Sequence, residues 1–450
     1  MRHTRLRAVT TAALAAATAL TLAACGGASP GDSTDGSTSG SDGGSGDGDQ
    51  SAVGGEASAW ILTGGGWPVT AASFERWNEG NPDQTITVEE FENDAFKEKI
   101  RTSVGSGEAP TLIMNWTGGT LADYVAGGQV DDITAETEDL VSRVMPSVAQ
   151  NGVVDGATYA VPMNDVQPVI LYYNEDVFAQ AGIEVPTTWQ ETLDAVATLS
   201  DAGIIPFSLA GQSVWPELMW IQYLTDRIGG PEVFQAVLDG EPDAWSDPAI
   251  LEALTKIQEL VDAGGFGDAF ASVAADQSAD AALVHTGRAA MLLQGSWLYA
   301  TFHADNPEFA TSALGFTTFP TIEGGSGDPA NIVGNPANFW SISASASDEA
   351  KQTALDYLNE FVYDEDQLTA MLDAGSVPPV AGLEDRIAQS DDAEYLEFAY
   401  GMVQDAPHFQ LSWDQALPSD QAQELLTNLS QIFLGEITPQ QFVDAMNAIL

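Results

Sequence analysis

One cysteine, Cys25, stands in the whole chain, so no internal disulfide can brace it. Histidine is nearly as scarce. His3, His285, His303 and His408 are far apart, and no HExxH or CxxC occurs, which leaves no recognisable metal motif. Basic residues are few: 13 Lys and Arg face 66 Asp and Glu. Three of the 13 are Arg2, Arg5 and Arg7, and without the first 24 residues the formal charge is −56. Such a surface repels phosphate backbones and anionic lipid, which excludes nucleic acid as a partner. The acid surplus reads as a solubility device, with a role in binding a cation as the other reading. Past the N-terminus no stretch approaches about 18 uncharged apolar residues, so no later segment spans a membrane. Catalytic signatures are also missing. There is no GxSxG elbow and no GxxxxGK[ST], and in "TGGGWP" the third glycine of a dinucleotide fingerprint falls at Val69. With 66 carboxylates, two of them close together say nothing about glycoside hydrolysis. No cofactor or metal is expected.

What is present starts at the N-terminus. Arg2, Arg5 and Arg7 precede the uncharged run "AVTTAALAAATALTLAA", the layout of a secretory signal over residues 1–24. Leu22-Ala23-Ala24-Cys25 resembles a bacterial lipobox. That resemblance implies cleavage before Cys25 and lipidation of its thiol, with two or more acyl chains giving firm anchorage. Residues 25–58 then read as a lipidated cysteine and linker. Of residues 31–50, 17 are Gly, Ser or Asp, with no apolar periodicity to bury. As a flexible coil such a linker spans roughly 30 Å.

From Trp60 onward the pattern is globular. "WILT" (60–63), "TITV" (85–88) and "TLIM" (111–114) read as strands, and 70–80 and 93–107 between them read as helices. Alternation of this kind predicts βαβ units and a parallel sheet. Thr188 with Glu191 predicts a capping box, and Asp247-Pro248 a capped helix over 249–265. Further strands are expected at 169–173, 314–319 and 339–343. Tyr172 and Tyr173 alternate on a strand, so one faces the core and one the rim. The class is α/β in two lobes.

Parallel sheets bind ligands beyond the carboxyl ends of their strands. Gly64 to Pro68, Asn93-Asp94 and Asn115 to Gly119 follow the first three strands. If those strands are neighbours, Gly65, Trp67, Asn93, Asp94, Asn115 and Trp116 share one rim. Exposed tryptophans beside amides and carboxylates suit a sugar, whose C–H faces stack on rings while its hydroxyls bond polar groups. Trp77, Trp189 and Trp220 sit in helical patterns and read as core.

"YAVPMNDVQPVILYYNEDVFAQAGIEVPTTWQE" (159–191) and "GRAAMLLQGSWL" (287–298) resemble elements of the family 1 extracellular solute-binding proteins. "GEAPTLIMNW", "GNPANFWSIS" and "FQLSWDQALP" follow in family order. These are the maltose-binding-protein-like receptors of carbohydrate ABC transporters. The resemblance implies a type II, two-lobe periplasmic-binding-protein-like fold with chain crossings near Asn164–Gln167, Gly334–Asn335 and Gly375–Val377. It implies one lobe of 59–165 plus 335–376 and another of 166–334 plus 377–450. By position it adds Asn164, Asp165, Asn335, Trp297, Trp413 and Asp414 to the ligand contacts, with Trp297 and Trp413 stacking on sugar rings; Trp215 in "GQSVWPE" is added from its loop. It further implies a monomeric, non-enzymatic, lipid-anchored extracellular receptor that hands a neutral mono- or oligosaccharide to permease subunits in the membrane. Two other readings stay open: a secreted carbohydrate-active enzyme, and a receptor for a non-sugar solute such as a polyamine. The rim is poor in Lys and Arg, which counts against sugar acids and phosphates.

Overall fold

Thirteen strands run through the computed structural model, which describes residues 55–450. The signal segment, Cys25 and most of the linker lie outside the described residues. In chain order the strands are β1 (Ala57–Leu62), β2 (Ile86–Phe91), β3 (Leu112–Asn115), β4 (Val153–Val154), β5 (Ala157–Thr158), β6 (Val161–Pro162) and β7 (Gln167–Asn174). There follow β8 (Ile205–Ser208), β9 (Ala289–Gly295), β10 (Leu314–Thr317), β11 (Ile332–Asn335), β12 (Phe339–Ile342) and β13 (Phe409–Leu411).

They form two main sheets. The first has the order β2-β1-β3-β12-β6, and the second β13-β11-β7-β9-β8, with β10 paired to β7. The first three strands are parallel neighbours, as their alternation with helices predicts. The expectation of a wholly parallel sheet fails beyond them. β12 runs antiparallel to β3, and β6 antiparallel to β12. The reason is connectivity: β12 arrives by a short return from β11 in the other sheet, not by a helical crossover on its own.

Helices form where the apolar spacing calls for them. α1 (Trp67–Gly80) buries Phe74 and Trp77. It starts three residues before the predicted point, because Pro68 occupies the first turn, where a missing N–H is harmless. α2 (Asn93–Ser106) buries Phe96, Ile100 and Val104 and stops at Gly107 in the left-handed region. α3 (Gly118–Ala126) follows β3. The Thr188–Glu191 capping box is present, and Asp247 accepts the N–H of Ala249. Trp77, Trp189 and Trp220 are buried, and Tyr172 points inward while Tyr173 is half-buried.

The chain leaves the first sheet after Pro162 and enters the second at Gln167; it returns between Asn335 and Phe339. These passages are locked together by amides. Asn338 Oδ1 accepts from Asn164 Nδ2 at 2.7 Å and Gln167 Nε2 at 2.6 Å, and Asn164 Oδ1 accepts the N–H of Asn338 at 2.8 Å. The third segment, 375–377, joins them where Val166 N–H donates to the Val377 carbonyl at 2.9 Å. Buried amides bonded on both sides hold a passage in one geometry. Among the described residues, no helix is long and apolar enough to cross a membrane.

Candidate functional site

The carboxyl ends of β1, β2 and β3 open onto one cavity of about 290 Å³, near the lower end of small-molecule sites. From β1 come Gly64, Gly65 and Trp67; from β2, Glu92 and Asn93; from β3, Trp116. The facing wall comes from the second sheet and its loops: Gln167, Trp215, the 275–280 segment, Gln294, Trp297, Asn335 and Asp414.

Local backbone explains how the rings are presented. Gly64 and Gly65 both have positive φ, 74° and 50°, so the β1 turn can fold against Trp297. A Cβ on Gly65 would stand 3.5 Å from the Trp297 carbonyl oxygen. Gly295 serves the same ring from beneath, since a Cβ there would overlap the Trp297 indole. Trp297 and Trp215 lie 6.0 Å apart at 50°. Six non-glycine residues among those described have positive φ. Four of them belong to this cavity: Gln277 and Ser278 line it, while Thr117 and Val214 adjoin Trp116 and Trp215. Strained backbone of this sort gathers where surrounding structure holds a site in shape.

Polar groups are set between the rings. Asn335 Oδ1 is buried and accepts no hydrogen bond from the described residues. Gln294 Nε2 donates to Asp280 Oδ2 at 3.2 Å, and the N–H of Ala281 donates to Asp280 Oδ1 at 2.9 Å. Burial pushes the Asp280 carboxyl up to about 6 against those two bonds. Asp276 is also raised, by burial first and then by the neighbouring Asp94 charge. Flat apolar faces beside amides and carboxylates suit a polyhydroxylated ring. Among the described residues, the lining contains no arginine or histidine and one lysine, Lys97, against Glu92, Asp276, Asp280 and Asp414.

Of the residues singled out from sequence, Gly65, Trp67, Asn93, Trp116, Trp215, Trp297, Asn335 and Asp414 line this cavity. Trp67 does so from the first turn of α1, not from a loop. Asp94 stands beside the cavity and bridges its walls, accepting from Ser213 Oγ at 2.7 Å and Trp215 Nε1 at 3.2 Å. Asn115 is buried; it donates to Ser341 Oγ at 3.0 Å and accepts the N–H of Thr117 at 2.9 Å, shaping the turn that carries Trp116. Asn164 and Asp165 lie at the passages between sheets, around a separate chamber of about 20 Å³ behind Trp67 and Trp297. Burial raises the Asp165 carboxyl to about 6, opposed by bonds from Gln167 and Ser376. Trp413 is a correction. It is 1% exposed and stacked on Phe234 with centroids 4.1 Å apart, so neither face is free for a ligand.

Sequence reasoning missed Lys97, Asp276, Asp280, Gln167 and Gln294. Residues 275–280 belong to an irregular stretch after the 248–262 helix, and its length without periodicity was the available signal. Gln294 sits inside the "LLQGSW" element already singled out. Among the described residues, no group of three or more His, Cys, Asp or Glu side chains could hold a metal ion.

Comparison with known proteins places these features. A model of the bacterial extracellular solute-binding proteins matches residues 68–368. An uncharacterised ABC-transporter extracellular-binding protein of Pyrococcus horikoshii is 26% identical over 214 residues, 46% of this chain and 47% of the relative. The xylose/arabinose-binding protein XacG of Haloferax volcanii is 26% identical over 273 residues, 58% of this chain and 57% of the relative. The chain thus spans about half the length of the curated relatives it matches. A structure solved in work on xylan utilization by Caldanaerobius polysaccharolyticus superposes with a TM-score of 0.78 at 28% identity, covering 88% of this chain and all of that one.

Proposed function

This chain belongs to the bacterial extracellular solute-binding protein family, and from that premise we infer that its cavity takes a neutral mono- or oligosaccharide for delivery to an ABC permease. One observation carries the reading: Trp67, Trp116, Trp215 and Trp297 line a single cavity together with Asn93, Asn335, Gln167 and Gln294. Rings supply stacking faces and amides supply both donors and acceptors, the complement of a sugar. A relative named for xylose and arabinose, and a structural neighbour from xylan utilization, support the sugar class. Four lining carboxylates against one lysine disfavour anionic ligands such as sugar phosphates.

In this reading the protein performs no chemistry. Lobes of 59–165 plus 335–376 and of 166–334 plus 377–450 close on the ligand, and the closed form docks on the permease. Cleavage after residue 24 leaves Cys25 lipidated, and the Gly/Ser/Asp linker holds a monomer on the extracellular face within reach of its transporter. Titration calorimetry of residues 26–450 against xylo-, cello-, malto- and chito-oligosaccharides tests it. Binding of one class near micromolar affinity, without release of reducing ends, is expected. Silence across all four classes rejects the sugar, and turnover rejects a pure receptor. The carboxylates of the lining keep a polyamine as the second reading, and spermidine belongs in the same screen.

A further inference from the structure

Lys97 projects from the second turn of α2 into the cavity. Its Nζ lies 5.2 Å from the centre of the Trp116 ring and 5.4 Å from that of Trp215. Asp414 Oδ2 is 3.7 Å away, on a side chain only 7% exposed. Both ring distances fall within cation–π range. The three partners come from different places. Trp116 follows β3 of the first sheet, whereas Trp215 follows β8 and Asp414 follows β13 of the second. An ammonium therefore sits in a cage of two aromatic faces and one carboxylate that the two walls build together.

We propose that Lys97 is a specificity-determining residue: its ammonium is a resident counter-ion that fills a cation-recognising cage and leaves the rest of the cavity to uncharged sugars. Two physical consequences lead there. First, the ammonium lies over faces of Trp116 and Trp215 on which a ligand would otherwise stack, so stacking falls mainly to Trp67 and Trp297. Second, among the described residues Lys97 is the sole positive charge in a lining that carries Glu92, Asp276, Asp280 and Asp414. Without it, closing the walls would bring carboxylates of both sides together uncompensated, and a positively charged ligand would supply what is missing. A sugar bearing a free amino group competes with Lys97 for the cage; a neutral sugar does not. The inference rests on the sugar-receptor reading for its neutral arm only.

The test compares the mature chain with Lys97→Met, which keeps the apolar stem and removes the charge, and with Lys97→Arg, which keeps the charge. Probes are a neutral oligosaccharide taken from the screen, the glucosamine trisaccharide and spermidine, titrated by calorimetry at 50 and 500 mM NaCl. Circular dichroism melting checks that each variant folds, and Lys97→Gln replaces Lys97→Met if that variant does not. The expected result is at least a ten-fold gain in affinity of Lys97→Met for both amines, largely lost at high salt, with Lys97→Arg restoring wild-type discrimination. Equal amine binding by wild type and Lys97→Met overturns the proposal, as does a change by one common factor for neutral and aminated sugars. The spermidine arm reads the cage even where no neutral sugar binds, and that separate outcome counts against the sugar reading alone.

Discussion

Asp94 Oδ1 accepts the indole N–H of Trp215 at 3.2 Å, a bond that joins the β2 side of the cleft to the β8 side. Ser213 adds a second bond to the same carboxylate at 2.7 Å, and Ser213 Oγ in turn accepts the N–H of Ala275 at 3.0 Å. On the proposed closure of two lobes, Asp94 acts as a latch between the walls and not as a lining residue of the cavity. Bonds that run from one wall to the other would, on that proposal, favour the closed form and add little to either side's own fold. Hydrogen bonds to a charged acceptor contribute about 1.5–3 kcal/mol.

Asp94→Ala is therefore expected to weaken ligand binding about ten-fold, with little change in melting temperature. Small-angle scattering of the ligand-free variant should show a larger radius of gyration. Part of the loss is offset, because removing Asp94 relieves one of the charges that raise the Asp276 carboxyl. Unchanged affinity together with an unchanged radius would dismiss the latch.

Trp297 and Trp413 are expected to separate function from folding. Trp297 is half-buried, lines the cavity and packs against both apolar cores. Trp297→Ala should abolish detectable ligand binding and lower stability modestly. Trp413 packs between Phe234 and Trp245 with 1% of its surface exposed. Trp413→Ala leaves a cavity there, at a cost of about 3–5 kcal/mol. Denaturant midpoints and calorimetry on the two variants check this, and the opposite pattern would return Trp413 to the site.

The contrast between those tryptophans marks what was legible in the chain. Trp67 and Trp116 stood out because glycines flank them at strand ends, and that signal is local. Trp413 carried no local signal either way; its partner Phe234 is far away in sequence, and only the tertiary fold brings the rings together. Lys97 in "NDAFKEKI" looks like any solvated helical charge until Trp116, Trp215 and Asp414 surround it. β1, β2, β3, β7, β10 and β12 were legible within about three residues as short apolar runs bounded by turn residues, whereas β8, β9, β11 and β13 were not read as strands. Strand direction was not legible, since β12 reaches the first sheet by returning from the second, which no periodicity reports.

Asp165 gives a pH dependence with a definite sign. Burial raises its carboxyl to about 6, above an unfolded value near 3.9. The folded state then holds a proton that the unfolded chain has released between roughly pH 4 and 6. This group's contribution is fully present below the unfolded value and is lost as pH rises through the folded one; above it, the penalty is constant, at most about 3 kcal/mol. Asp165→Asn cannot ionise, so its stability relative to wild type should climb from pH 4 to pH 6 and then level off. Its absolute stability also reflects altered bonds to Gln167 and Ser376, so the difference profile is the readout. Parallel melting curves for the two proteins from pH 4 to pH 7 would contradict the assignment.

The proposed closure would also depend on two glycines that open α3. A Cβ on Gly118 would overlap the carbonyl of Gln415, and one on Gly119 the carbonyl of Leu417. Gly118 additionally holds a φ of 62°, so Gly119 is the cleaner position to change. Within a helix, alanine is favoured over glycine by about 1 kcal/mol, so Gly119→Ala should not destabilise α3 itself. Its methyl group acts only where α3 meets the 413–417 segment, the contact that Ser419 Oγ reinforces by donating to Asp123 Oδ2 at 2.7 Å. The expected outcome is a protein that melts at or near the wild-type temperature, has a larger radius of gyration, and binds ligand at least ten-fold more weakly. A variant that melts much lower would show that this contact belongs to the fold; one that binds as tightly as wild type would show that α3 and the 413–417 segment need not meet for the cavity to hold its ligand.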